Sequence, residues 1–131
     1  MNSKLKNGYE SEELFILECL KNDIPISRPI YNIEPYDFIV EVNNKFYSVQ
    51  VKKSWKDKRG LNIVCLKSSY PRSNKINVAS KNSRVDFIAI ITDNNEWYII
   101  PREQIEHIKS GIAVSQKGNY KKYLYNFKFS K

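Results

Sequence analysis

With 131 residues, the chain has room for one hydrophobic core and little for a second module, so a single domain over residues 1–131 is expected. Lysine and arginine total 22 against 14 acids, a net charge of +8 with a pI near 9.4. That balance suits a polyanionic partner, although basic proteins also dock on acidic membranes and protein surfaces. Glu10, Glu12, Glu13 and Glu18 interrupt the first twenty residues and no apolar run approaches a membrane span. Neither a signal peptide nor a membrane partner is expected, which places the chain inside the cell, cytoplasmic or nucleoid-associated. The single histidine, His107, argues against a His-based nuclease and a His-ligated zinc site. Cys19, in a helical pattern, and Cys65, within Ile63-Val64-Cys65-Leu66, read as small buried hydrophobes, with neither metal-ligand spacing nor a disulfide framework.

Taken in chain order, Asn7-x-x-Glu10 forms a possible capping box, and Leu14, Leu17 and Leu20 follow at helical spacing. A first helix is therefore expected over about residues 8–22. Ile24 to Ile30 contains two prolines and reads as an edge strand at best. Pro35 to Val42 and Lys45 to Lys52 are rich in Val, Ile, Phe and Tyr and flank Asn43-Asn44, two residues that tolerate positive φ, so they form a hairpin. Leu61 to Leu66 is expected to be a third core strand. Ser68 to Ser83 is Ser/Asn-rich with few apolar residues and reads as a mobile loop. Val85 to Thr92 and Glu96 to Ile100 make a second hairpin around Asp93-Asn94-Asn95. A short helix from about Arg102 to Lys109 should stop near Gly111. The tail from Tyr120 to Phe129 fits a helix (Tyr120, Tyr123, Leu124, Phe127) and a strand (Tyr123, Tyr125, Phe127, Phe129) equally well. The fold class is α/β or α+β.

The first hairpin carries the chemistry. If Asn43-Asn44 are the central turn residues, Val42 pairs with Lys45 and, counting outward, Asp37 lies opposite Gln50. Lys52 leaves the same face two residues on. A carboxylate, an amide oxygen and an ammonium then converge, with the Val51 carbonyl between the last two. A hard divalent cation needs oxygen ligands, and an attacked phosphate needs a cation beside it. An Asp at a strand start often only satisfies loop amides, and Ser48, Gln50 and Lys52 could be a solvated sheet face. The functional reading requires that face to be a cleft.

Asp37 followed on the next strand by Gln50-Val51-Lys52 resembles the signature of the PD-(D/E)XK nuclease superfamily, with glutamine at the second acidic position. The substitution is similar to that in small group I intron-associated homing endonucleases, and the chain also shows similarity to archaeal-type Holliday junction resolvases. The resemblance begins at Ser11-Glu12 and continues through Val85 to Ile90, Trp97 to Pro101 and the Tyr/Lys-rich tail. It implies a restriction-endonuclease-like core, a central mixed sheet flanked by the N-terminal helix. It further implies a magnesium-dependent DNA endonuclease, with manganese able to substitute, that hydrolyses phosphodiesters by a metal-activated water. The family carries a helix-borne Glu after Gly or Ser, which Ser11-Glu12 matches.

Charge counting agrees with that last assignment: Gln50 brings no charge, so a second carboxylate should stand near Asp37. Helical geometry alone leaves Glu12 and Glu13 in competition, and either could be a first-turn acid favoured by the helix dipole. The candidate set is Glu12, Asp37, Gln50 and Lys52 for catalysis, and Glu12, Asp37, Gln50 and the Val51 carbonyl for the metal. Asp86 reads as a cap or loop anchor. Lys53, Lys56, Lys58 and Arg59 are expected to contact DNA phosphates, while Arg72 and Lys75, in the polar loop, are DNA-binding candidates that could instead read base edges in a groove. The DNA could be a long duplex or a four-way junction. Two cuts by a domain with one site imply a homodimer or higher homo-oligomer. Two other readings stay open: a non-catalytic basic nucleic-acid-binding module on a nuclease fold, and an interaction protein with an acidic partner.

Overall fold

A computed structural model describes residues 3–31, 34–68 and 76–131. Its centre is a five-stranded mixed sheet in the order β1-β2-β3-β8-β9. In chain order, helix α1 (Ser3–Lys21) precedes β1 (Ile26–Ser27), β2 (Phe38–Val42) and β3 (Lys45–Lys53). β4 (Trp55–Lys56), β5 (Asn62–Cys65), β6 (Lys67–Ser68) and β7 (Ile76–Asn77) follow, before the hairpin of β8 (Phe87–Ile91) and β9 (Trp97–Pro101). β10 (Gly111–Val114) completes a second sheet, ordered β10-β5-β4, and β6 pairs with β7 alone.

The β2–β3 hairpin is built as its sequence demands. Asn43 and Asn44 have φ of 53° and 64°, the double left-handed geometry whose twist matches the flanking strands. Val42 pairs with Lys45 and Phe38 with Val49. β3 then runs parallel to β8, Val49 against Phe87 and Lys53 against Ile91, so Lys52 ends a central strand rather than an edge. β8 and β9 are buried along their whole length, which explains their unbroken apolar runs.

The two faces of the sheet bury different partners. On one, Phe15 and Cys19 of α1 pack on Phe38, Val40, Val49, Val51, Phe87 and Trp97. The Phe15 ring lies 5.6 Å from Phe38 and 5.5 Å from Trp97, and truncating such a residue costs about 3–5 kcal/mol. On the other, Ile88, Ile90, Tyr98 and Ile100 pack against Val64, Leu66, Val78 and Ile112 from the segments around the second and third sheets.

Several expectations are corrected. The helix starts before Asn7, so Asn7 is no cap; its carbonyl instead accepts the Ser11 hydroxyl at 2.8 Å, one turn on. The buried stripe is Ser11, Phe15 and Cys19, while Leu14, Leu17 and Leu20 face outward. Small residues on either side of Phe15 let the helix approach closely, and the aromatic cluster outcompetes the leucines. β5 is a core strand as expected, with Val64 buried, and it belongs to the second sheet. Lys67 and Ser68 pair with Asn77 and Ile76, so the base of the polar loop is a short ladder. Only Arg102–Gln104 is helical, as a 3-10 turn, and Gly111 opens a strand. A Cβ at Gly111 would lie 2.6 Å from the Val64 carbonyl oxygen, which explains the glycine as a close strand approach. The tail is neither regular form: a 3-10 turn at Lys121–Tyr123 precedes Tyr125 and Phe129, whose positive φ breaks any ladder. Cys65 is exposed.

Candidate active site

Asp37 sits one residue before β2, level with Gln50. Its backbone N–H donates to the Val49 carbonyl at 2.9 Å, and its Oδ2 accepts the Val51 N–H at 2.8 Å. The Asn43-Asn44 register thus ties the carboxylate across the hairpin to the backbone between Gln50 and Lys52. Gln50 is half-buried, and its Nε2 donates to the Val51 carbonyl at 3.4 Å. Lys52, also half-buried, donates from Nζ to the Lys67 carbonyl at 3.1 Å.

Electrostatics link these groups to α1. Burial pushes the Asp37 carboxyl up to about 7; the Val51 N–H bond opposes this, Glu12 adds to it, and Lys52 and Arg28 oppose it. Burial likewise raises Glu12, against the pull of Arg28 and with a push from Glu13. Burial lowers Lys52, with Cys65 and Asp37 opposing. A buried carboxyl pushed up partly by a second carboxylate, beside a partly desolvated ammonium, is a perturbed cluster of the kind found at functional sites. Glu12 is the helix acid whose charge reaches Asp37. Glu13 lies exposed on the outward side of the helix.

Asp37, Glu12, Gln50 and the Val51 carbonyl offer only oxygen donors, the chemistry of a hard cation such as magnesium. Among the described residues no three His, Cys, Asp or Glu side chains cluster as a metal site, so Asp37 and Glu12 would balance the charge between them. The donor set fits such an ion.

Two neighbours carry no signal in the sequence. Arg28, in the loop after β1, has its guanidinium 4.0 Å from Glu12 and 5.1 Å from the Phe38 ring centre. Cys65 stands beside Lys52 because β5 passes that end of β3. Nothing short of the fold brings either residue there. Asp86 anchors a loop: its Oδ2 accepts the Ser48 N–H and its own N–H donates to the Ser48 hydroxyl, both at 2.9 Å.

Of the proposed DNA contacts, Lys53, Lys56 and Lys58 are exposed and, among the described residues, have no ion pair. Arg59 differs. Asp57 holds its Nε at 3.1 Å and a terminal guanidinium nitrogen at 2.9 Å, while Asp57 Oδ1 closes the turn to Leu61. Arg72 and Lys75 lie outside the described residues.

The PD-(D/E)XK endonuclease family matches the chain over residues 1–129. A bacterial homing endonuclease, I-Ssp6803I, is similar at a TM-score of 0.76 and 23% identity, over 95% of this chain and 89% of that one. The Holliday junction resolvase Hjc of the archaeon Archaeoglobus fulgidus is similar at 0.54 and 13%, over 84% of each chain. These likenesses establish a restriction-endonuclease-like fold. No curated protein matches the sequence.

The Asp37 environment predicts a pH signature. With its pKa raised from 3.8 to about 7, the folded chain keeps a proton that the unfolded chain releases, so ionising Asp37 withdraws stability as pH rises through that window. Asp37→Asn, which mimics the protonated form, should raise the melting temperature above that of the parent at pH 8 without divalent cations. The gain should shrink towards pH 4. Thermal denaturation at several pH values checks this; equal melting temperatures throughout would mean that Asp37 is fully hydrated.

Proposed function

The chain belongs to the PD-(D/E)XK endonuclease family, and from that premise we propose that it is a magnesium-dependent DNA endonuclease of homing-endonuclease-like type. The observation that supports this most is the bond from the Val51 N–H to Asp37 Oδ2, which ties the Asp37 carboxylate to the backbone between Gln50 and Lys52 on a central strand. In this reading Asp37, Glu12, the Gln50 amide oxygen and the Val51 carbonyl hold the cation. That cation, when bound, supplies Lewis acidity to a water and to the scissile phosphate. Lys52 orients the attacking water and neutralises charge developing on the phosphate. The Lys67 carbonyl fixes its ammonium, and partial burial keeps it weakly solvated.

The higher TM-score and coverage of the homing endonuclease favour a duplex over a four-way junction as substrate. Two-strand cutting then calls for a homo-oligomer, since each chain offers one such site. The net charge of +8 suits work on DNA inside the cell. The non-catalytic reading draws on Gln50, which leaves one strand carboxylate fewer than the commoner signature.

The deciding experiment incubates the protein with linear duplex, supercoiled plasmid and a synthetic four-way junction, each with magnesium or a chelator. Magnesium-dependent cleavage of duplex at a rare site is expected, and Asp37→Ala or Lys52→Ala should abolish it while DNA binding stays nearly intact. Symmetric nicking of the junction alone would make the chain a resolvase. Inert binding to every substrate would make it a module. Loss of binding in step with activity, with the fold preserved, would remove either residue from the catalytic set.

The basic segment gives an independent prediction. Neutralising Lys53, Lys56 and Lys58 together should weaken binding to all DNA sequences alike and flatten the dependence of log K on log salt by about 0.9 per lost phosphate contact. Arg59→Ala should change it less, because Asp57 already neutralises that guanidinium. An unchanged slope for the triple variant would place the DNA path elsewhere.

A further inference from the structure

The outward face of α1 is more apolar than its buried face requires. Leu14 is 40% exposed, Leu17 52%, Leu20 63% and Tyr9 55%, all on the side of the helix turned away from Phe15. Four large apolar side chains grouped on one exposed face mark an interaction site. The sequence keeps leucine there through two turns although none of the three contributes to the core.

We propose that this face of α1 is a self-association surface, on which a second copy of the chain packs antiparallel about a two-fold axis. The argument is one of spacing and charge. Glu10, Leu14, Leu17 and Lys21 are separated by four, three and four residues, the seam of a two-helix packing. The seam carries a negative charge at one end and a positive charge at the other. A two-fold axis between residues 15 and 16 sets Leu14 against the partner's Leu17, and Glu10 against the partner's Lys21, at both ends. The same operation brings the partner's Leu20 to the level of residue 11, between Tyr9 and Leu14 along the helix axis. Tyr9, Glu10 and Leu14 already line a shallow apolar groove with Lys6 and Glu13, open to receive that leucine. A parallel pair would oppose Glu10 to Glu10 and Lys21 to Lys21, so the charges select the antiparallel form.

The same charges exclude the other obvious occupant. Although the chain carries +8 overall, this face balances Lys6 and Lys21 against Glu10 and Glu13, so it offers a polyanion no net attraction. Within one copy, Glu10 pairs with Lys6 at 3.9 Å and Lys21 with Glu18 at 3.4 Å, both exposed pairs that re-form across an interface at little cost. A 19-residue helix is about 28 Å long, and one such face falls short of the roughly 800 Å² per partner of a standard interface. Association is therefore concentration-dependent. It would give the two-strand cut proposed above its second site, but the surface is argued from α1 alone.

Sedimentation across a concentration series, with neither DNA nor metal, tests the surface separately from the activity. The parent should pass from monomer to dimer, and Leu17→Glu should raise the dissociation constant at least about tenfold with an unchanged circular dichroism spectrum. Glu10→Lys and Lys21→Glu should each weaken the dimer, and the two together should restore it. A parent that is monomeric throughout, or a Leu17→Glu variant as dimeric as the parent, overturns the proposal. So does failure of the charge exchange to restore association, because the antiparallel register requires it. None of these outcomes depends on whether the protein cuts DNA.

Discussion

Asn43 and Asn44 fix the register on which the rest of the site depends. Because both residues occupy left-handed backbone, the turn has two central residues and no more, and Val42 must face Lys45. Every pairing up to Phe38 with Val49 follows, and the next step sets Asp37 level with Gln50. A slip of one residue would send Gln50 and Lys52 into the aromatic layer under α1 and turn Val49 and Val51 outward. Burial of Val49, Val51 and Phe38 against Phe15 opposes that slip. Hydrophobic packing on one face thus holds polar chemistry in place on the other.

The site is held under electrostatic tension. Asp37 and Glu12 are drawn from water and repel one another, and Lys52 and Arg28 compensate only in part. A fold selected for stability alone would place apolar groups there. Both carboxylates belong to well-anchored elements, one held by the Val51 N–H and the other by the helix whose Phe15 lies in the core. The strain is therefore carried by well-packed elements, and positive charge brought beside the two carboxylates would relieve it.

Much of this was legible in the sequence, for identifiable reasons. The hairpin carried a strong local code, the Asn pair between β-branched runs, and that code sufficed to align Asp37 with Gln50 and Lys52. The β8–β9 hairpin was equally plain, because continuous apolar runs admit few other readings. Helix α1 was found, but its orientation was not. The spacing of Leu14, Leu17 and Leu20 located the helix without saying which side is buried, whereas Phe15 met Phe38, Trp97 and Phe127 across long sequence separations, contacts that no local pattern announces. Leu61 to Leu66 was legible as a core strand but its sheet was not, and the Gly111 segment was read as a helix stop, because a strand's sheet membership depends on its partners. Arg28 and Cys65 reach the site only through the fold.

The central claim is that the Asn43-Asn44 register delivers the Gln50 amide oxygen into a metal-dependent hydrolytic site. It is tested most directly by the magnesium-dependent DNA cleavage rate of Gln50→Glu and Gln50→Leu beside the parent. The account predicts that the glutamate variant remains active, with its metal preference free to change, because it keeps an oxygen donor and adds charge. The leucine variant, which keeps the shape and loses the oxygen, should be far slower. A leucine variant that cuts DNA at the parent rate in magnesium would contradict the account and return Gln50 to the solvated face of a sheet.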